Sequence, residues 1–424
     1  MKFFSLLAAM TIFIAFEVTA APSLVECQER DGLPNFFAKL NSGAEVRVAY
    51  LGGSITAQDG WRPKTLAWFQ QQFPKAHLKE INAAIGGTGS DLGVFRLKQD
   101  VLDHQPDLVF VEFAVNDSGV PTEQIQRTME GIVRQTWRSH PTTDICFVYT
   151  IAGNMLKELQ QDHLWNSMAA METLAAHYSI PTINMGLEVA RMEKTGKLVF
   201  TGEKPKTDEE KKALADKILF SPDSVHPYTD TGHQLYLEAV ARGMGKIQHV
   251  NHAAGPHVLK EPLRADNWEA AKMIPLSKVT RTGNWSRMDS SKEGLARNFS
   301  NFLPELWKAD KPQDSIAFRF RGKVVRIYDL VGPDCGQLTV QVDDKPAKKE
   351  LRFDAYCTYH RLASFTVVDG ATDGVHTARV TLLPDMPDKA KILSERHEKM
   401  DDPKRFQGKN WYAGAILVVG DLVE

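Results

Sequence analysis

Cysteine is scarce. Four thiols in 424 residues are too few for a disulfide scaffold, and no two of them stand in a CxxC pair. HExxH and other familiar metal-ligand spacings are missing as well, so the sequence points to no metal and no other cofactor. Excess charge of one sign is also lacking. The 51 basic and 53 acidic side chains leave a formal net charge of −2, which gives neither nucleic acid nor an anionic membrane surface an electrostatic footprint. Beyond the N-terminus no apolar run is long enough to span a bilayer. Repeats of fixed period and low-complexity tracts are absent too. Of the thiols, Cys146 sits in the apolar run "DICFVYT" and reads as a buried small hydrophobe. Cys335 and Cys357 could pair in an oxidising compartment, a question the spacing leaves open.

What is present begins at residues 1–20. Lys2, the run "FFSLLAAMTIFIAF" and small residues up to Ala20 have the pattern of a secretory signal peptide. The expected product is exported, periplasmic or extracellular, with no membrane insertion. The run is short for a membrane anchor and is followed at once by Glu17. Glu26 before Cys27 stands where a lipoprotein signal has a small residue.

Two rhythms follow. From about residue 44 to 250, apolar runs such as "EVRVAYL", "LKEINAAI", "DLVFVEFAV", "DICFVYT" and "PTINM" alternate with helical patterns. The helices are expected over 62–73, 90–102, 158–178 and 230–248, and Ile125, Met129, Ile132, Val133 and Trp137 mark the face of another. Such alternation predicts a three-layer α/β/α domain with a parallel sheet, placed at residues 31–255. The charged stretch 201–217 reads as an exposed insertion, and 250–275 as the linker. Beyond it, "DSIAFRFRG", "GQLTVQV", "HTARVTLLP" and "YAGAILVVG" alternate with a period of two and have no helices between them. They predict an antiparallel β-sandwich, jelly-roll-like, at residues 262–424.

In an open parallel sheet, ligands bind beyond the carboxyl ends of the strands. The first strand ends in Gly52-Gly53-Ser54, the second in Gly86-Gly87-Thr88, the third in Val115-Asn116-Asp117. A hydroxyl, a glycine-rich turn and an amide thus meet at one edge, the parts that acyl transfer needs. Near the end of the domain "SPDSVH" places Asp223 three residues before His226, close enough for the carboxylate to fix the imidazole tautomer that accepts a serine proton.

These four blocks, "GGSIT", "NAAIGGTGS", "AVNDSG" and "DSVH", resemble in content and order those of the SGNH hydrolases, a branch of the GDSL esterases. The likeness covers roughly residues 45–240. It implies a flavodoxin-like α/β/α fold, a Ser54–His226–Asp223 triad, and an oxyanion hole from the N–H groups of Ser54 and Gly87 and the Asn116 amide. Two positions depart from the family pattern: Gly53 replaces the aspartate of GDSL, and Ala114 the glycine of GxND.

Trp61 and Arg62, directly after the serine loop, are candidates for lining a substrate pocket or for plain packing. In the sandwich, Tyr356, His360 and Trp411 belong to aromatic and polar stretches that could stack on sugar rings or serve as packing. His233 reads as a surface loop residue and Glu112 as a structural hydrogen-bonding partner. Exported two-domain members of the family imply a carbohydrate esterase, with acetylated polysaccharide or oligosaccharide as substrate. A lysophospholipase or thioesterase, an O-acetyltransferase and a non-catalytic glycan-binding protein are the alternatives. The oligomeric state is left open.

Overall fold

The computed structural model describes residues 24–303 and 305–424, so the expected signal peptide lies outside the described residues. The first domain is built on β1 (Cys27–Gln28), β2 (Glu45–Gly52), β3 (His77–Ala84), β4 (Leu108–Glu112), β5 (Asp144–Tyr149) and β6 (Thr182–Asn184). Their order in the sheet is β1-β6-β5-β4-β2-β3. Every pairing from β3 to β6 is parallel, while β1 lies antiparallel on the far edge. The sheet is therefore parallel but for one short edge strand, in the flavodoxin-like order. Its central strands β4 and β5 are buried at every position, because helices cover both faces. Those helices include α1 (Pro34–Ser42), α2 (Ser54–Ala57), α3 (Trp61–Gln72), α4 (Ser90–Asp100) and α5 (Thr122–Ser139), and a closing helix spans Gly232–Ile247. The expected apolar face of α5 is buried.

Three details differ from the sequence expectation. The single helix over 158–178 is two, Leu156–Gln160 and Asn166–Tyr178, because Asp162 turns between them at φ 59°. A further helix, Met185–Lys194, buries Leu187, Val189 and Ala190. The charged insertion has structure of its own. β7 (Leu198–Thr201) and β8 (Ile218–Ser221) pair in parallel around an exposed helix, Asp208–Leu214, that starts at a Thr207/Glu210 capping box.

The second domain contains β9 (Ala271–Pro275), β10 (Thr280–Thr282), β11 (Trp285–Arg287), β12 (Trp307–Ala309), β13 (Ser315–Val331), β14 (Gln337–Val342), β15 (Lys348–Leu351), β16 (Arg361–Asp369), β17 (His376–Leu382) and β18 (Trp411–Val423). Their pairings are antiparallel. The long β13 pairs with β17 over Ser315–Phe320 and with β16 over Val324–Val331, while β18 follows its other edge. One strand thus joins β16, β17 and β18 into one sheet, and its register with β18 shifts between Gly322 and Val324.

The alternation along β13 and β18 gives each strand two buried faces. Val325, Ile327, Ile416 and Val418 fill the sandwich, whereas Val324, Tyr328, Leu330, Leu417 and Val419 join the core of the first domain. The connecting segment is pinned rather than loose. Trp268 is buried against Phe95 of α4, and the N–H groups of Leu263 and Arg264 donate to Glu130 on α5. The His257 ring stacks on Trp137 at 4.6 Å. Among the described residues no helix is long and apolar enough to cross a membrane.

Candidate active site

Ser54 is the first residue of α2, directly beyond the carboxyl end of β2. The strand–turn–helix sequence lifts its hydroxyl clear of the sheet. Ser54 Oγ lies 2.8 Å from His226 Nε2, and His226 Nδ1 lies 2.7 Å from Asp223 Oδ2. The geometry assigns the tautomer: Nδ1–H donates to the carboxylate, and Nε2 accepts from the hydroxyl. Burial works against the Asp223 charge, but hydrogen bonds from the His226 ring and from the N–H groups of His226 and Val225 outweigh it and hold the carboxyl at about 2. It is therefore ionised at any working pH. The His226 and Asp223 side chains are 36% and 50% exposed, so this side of the site is open to solvent.

The loop that carries them is braced from outside. Ser224 stands between the two residues at φ 68°. Its carbonyl accepts from Gly153 N–H at 2.9 Å, and its hydroxyl meets Thr201 Oγ1 at 2.6 Å. Thr201 ends β7, so the insertion supports the histidine loop.

The glycine turn and the asparagine converge on the same serine. A Cβ at Gly86 would sit 3.6 Å from Ser54 Cβ. Gly87 adopts φ +73°, with no atom within 4 Å of where a side chain would point, so the left-handed backbone and not crowding calls for glycine here. Asn116 folds over Gly53: a Cβ there would fall 1.8 Å from Asn116 Oδ1. Glycine at 53, in place of the family's aspartate, is thus what makes room for the amide.

Beneath the site lies Glu112 at the end of β4, fully buried. It accepts from Thr56 Oγ1 at 2.9 Å and Thr150 Oγ1 at 2.6 Å. Burial raises its pKa despite these bonds and those from the N–H groups of Ala114 and Val115. As expected, it is a structural partner that ties the ends of β2, β4 and β5 together.

Residues 50–235 match the family model described as GDSL-like Lipase/Acylhydrolase. This part of the chain is an SGNH/GDSL hydrolase domain. The two-domain chain also shares its fold with a two-domain esterase described as active on acetylated mannans, at TM-score 0.69 and 21% identity, over 91% of this chain and 94% of that one. A structure of such an esterase co-crystallised with mannopentaose aligns at TM-score 0.68 and 20% identity, over 93% and 98%. In sequence, 87 residues are 33% identical to the uncharacterised lipoprotein YqeF of Bacillus subtilis (strain 168). That match takes in 19% of this chain, and the chain spans about a third (35%) of the relative's length.

Other candidates do not join the hydrolase site. Trp61 is fully buried, packed edge-on against Tyr50 and Phe110 at 5.3 and 5.7 Å. Arg62 is buried too, with its guanidinium engaged by Asp59, Glu80 and the Thr56 carbonyl. Both are packing residues, and the pocket reading fails for want of free surface. Trp411 is likewise buried, its Nε1–H donating to Asp329 at 3.2 Å, so it offers no sugar platform. Tyr356 is exposed, but Arg396 already covers its ring at 3.9 Å. His360 is bound to Asp334 at 2.7 Å. Ligand atoms of Asp334, Cys335 and His360 lie within 4.8 Å of one another, yet Asp334 also accepts from Asn410 and Tyr412, and the Cys335 thiol is fully buried. No hydrogen bond among the described residues connects this cluster with Ser54. All four cysteines are free and buried, so Cys335 and Cys357 form no disulfide.

Sequence reasoning misplaced His233. It is fully buried, not a surface residue. Its Nδ1 accepts from Trp61 N–H at 3.1 Å and its Nε2–H donates to Gln58 Oε1 at 3.1 Å. The imidazole caps α3, and burial lowers its pKa to about 4. Its spacing from Leu235 and Tyr236 on the closing helix was the only available hint of a buried position.

Proposed function

We propose that the chain is an exported carboxylic ester hydrolase that removes O-acetyl groups from a polysaccharide or its oligomers, with the hydrolase domain within 31–255 and the sandwich within 262–424. The Ser54–His226–Asp223 hydrogen-bond relay carries this reading. Ser54 Oγ attacks the ester carbonyl while His226 Nε2 takes its proton. The N–H groups of Ser54 and Gly87 and the Asn116 amide receive the oxyanion. Collapse of the intermediate expels the sugar hydroxyl, protonated by His226, and leaves acetyl-Ser54. Water then attacks, His226 takes its proton and returns one to Ser54 Oγ, and acetate departs. No step needs a metal or an organic cofactor.

The shared two-domain fold makes acetylated mannan the first substrate to test, and the open site suits a polymer chain. The test is acetate release from acetylated mannan, xylan, pectin and algal glycans by wild type and Ser54→Ala. Release by wild type alone from one glycan supports both enzyme and substrate class. Cleavage of a small aryl acetate without release from any glycan leaves an esterase with a different acyl or alcohol partner. Sugar binding that survives Ser54→Ala, with no ester turnover, favours a glycan-binding protein.

A further inference from the structure

The second domain reaches the hydrolase site through α4. That helix begins directly after the Gly86–Gly89 turn, which the proposed mechanism assigns to the oxyanion hole. Its first turn is gripped from two sides. From within the domain, Asp117 Oδ1, next to Asn116, accepts the Ser90 N–H at 3.1 Å. From the sandwich, Arg326 on β13 forms a partly buried ion pair with Asp91. Asp91 also borders the turn itself, since a Cβ at Gly89 would lie 3.2 Å from its Oδ1.

The same face of β13 touches α4 again. Tyr328 is fully buried beside Arg96 and Asp100. Arg96 pairs with Asp100 at 2.9 Å and donates to the carbonyls of Ala83 and Gly52, the strand ends that lead into Gly86–Gly87 and into Ser54. Sandwich and strand ends therefore share one set of contacts.

We propose that Arg326 is a positioning residue for ester hydrolysis, holding through Asp91 the start of α4 and with it the oxyanion turn. The inference rests on the esterase reading above. A physical effect supports it: the ion pair fixes the register of a turn built from glycines, which has little stiffness of its own.

The test compares wild type, Arg326→Ala, Arg326→Lys, Asp91→Asn and the double variant Asp91→Asn/Arg326→Ala on a small aryl acetate, a substrate too short to touch the sandwich. Arg326→Ala is expected to lower kcat by about 10- to 100-fold with KM nearly unchanged. Arg326→Lys should recover most of the loss, and the double variant should be no worse than Arg326→Ala alone. If Arg326→Ala does not fold by circular dichroism, Asp91→Asn carries the test, because it breaks the pair without changing shape. Wild-type turnover that Arg326→Ala or Asp91→Asn leaves intact overturns the inference alone. A wild type that cleaves no ester overturns the esterase reading and this inference with it.

Discussion

The Asn116 amide occupies the space that a side chain at residue 53 would fill, its Oδ1 only 1.8 Å from where the Cβ of an alanine there would stand. Residue 53 and the Asn116 amide, proposed above as an oxyanion donor, therefore compete for one volume. Gly53→Ala must push the amide aside, and Asn116 can rotate away without disturbing the core. The expected loss in kcat is about 10²-fold, that of a missing oxyanion donor. Asn116→Ala should fall as far, and the double variant little further. Steady-state kinetics on an aryl acetate with a thermal melt of each variant checks this.

The relay orders the three single substitutions. Ser54→Ala removes the hydroxyl that the proposed mechanism uses as nucleophile and should abolish turnover. Asp223→Asn keeps the shape but can present an N–H to His226 Nδ1, which favours the wrong tautomer, and kcat should drop by about 10⁴. Because hydrogen bonds overcome burial and hold the Asp223 carboxyl at about 2, its protonation should not limit activity until far below pH 3.8. An acid limb near pH 4 that disappears in Asp223→Asn would contradict this geometry.

Glu112 is the polar anchor under the strand ends. Glu112→Ala leaves the buried Thr56 and Thr150 hydroxyls and two backbone N–H groups without their acceptor, at a cost of about 3 kcal/mol. Glu112→Gln retains acceptor capacity and should be milder. Denaturant melts of the two variants separate the hydrogen-bonding role from the volume.

His233 should show itself as a stability slope. Its folded pKa is about 4 against 6.5 for the free side chain, mainly from burial. Between those values the unfolded chain binds more protons, so stability rises with pH in that window. The fold should thus hold its full stability above pH 6.5 and lose it as pH falls toward 4. In His233→Gln the melting temperature should vary less with pH over the same window.

The thiols give a simple check on the sandwich. With every cysteine free and buried, Ellman's reagent should find almost no reactive thiol in the native protein. Four should appear in denaturant without reductant. Two in denaturant would mean that one pair is joined after all, Cys335–Cys357 being the pair the sequence suggested.

Much of this protein was legible in its sequence because the signals are local. Apolar runs of strand length, separated by helical periodicity, determine a parallel sheet, and a parallel sheet gathers its strand ends at one edge. Ser54, Gly86–Gly87 and Asn116 are strand-end residues, and Asp223 and His226 are three apart, so chain order alone brings the parts into one list. The change to a period of two near residue 315 likewise marks the sandwich. Only the tertiary structure decided which side chains face solvent. Trp61, Arg62 and Trp411 look like binding residues by type, but burial depends on what the fold brings against them: Phe110 on Trp61, Glu80 on Arg62 and Asp329 on Trp411. The same holds for His233, whose partners are about 170 positions distant, and for Arg326, which meets Asp91 across the domain interface. Sequence periodicity names the buried face of an element. What packs onto that face is a long-range property of the fold.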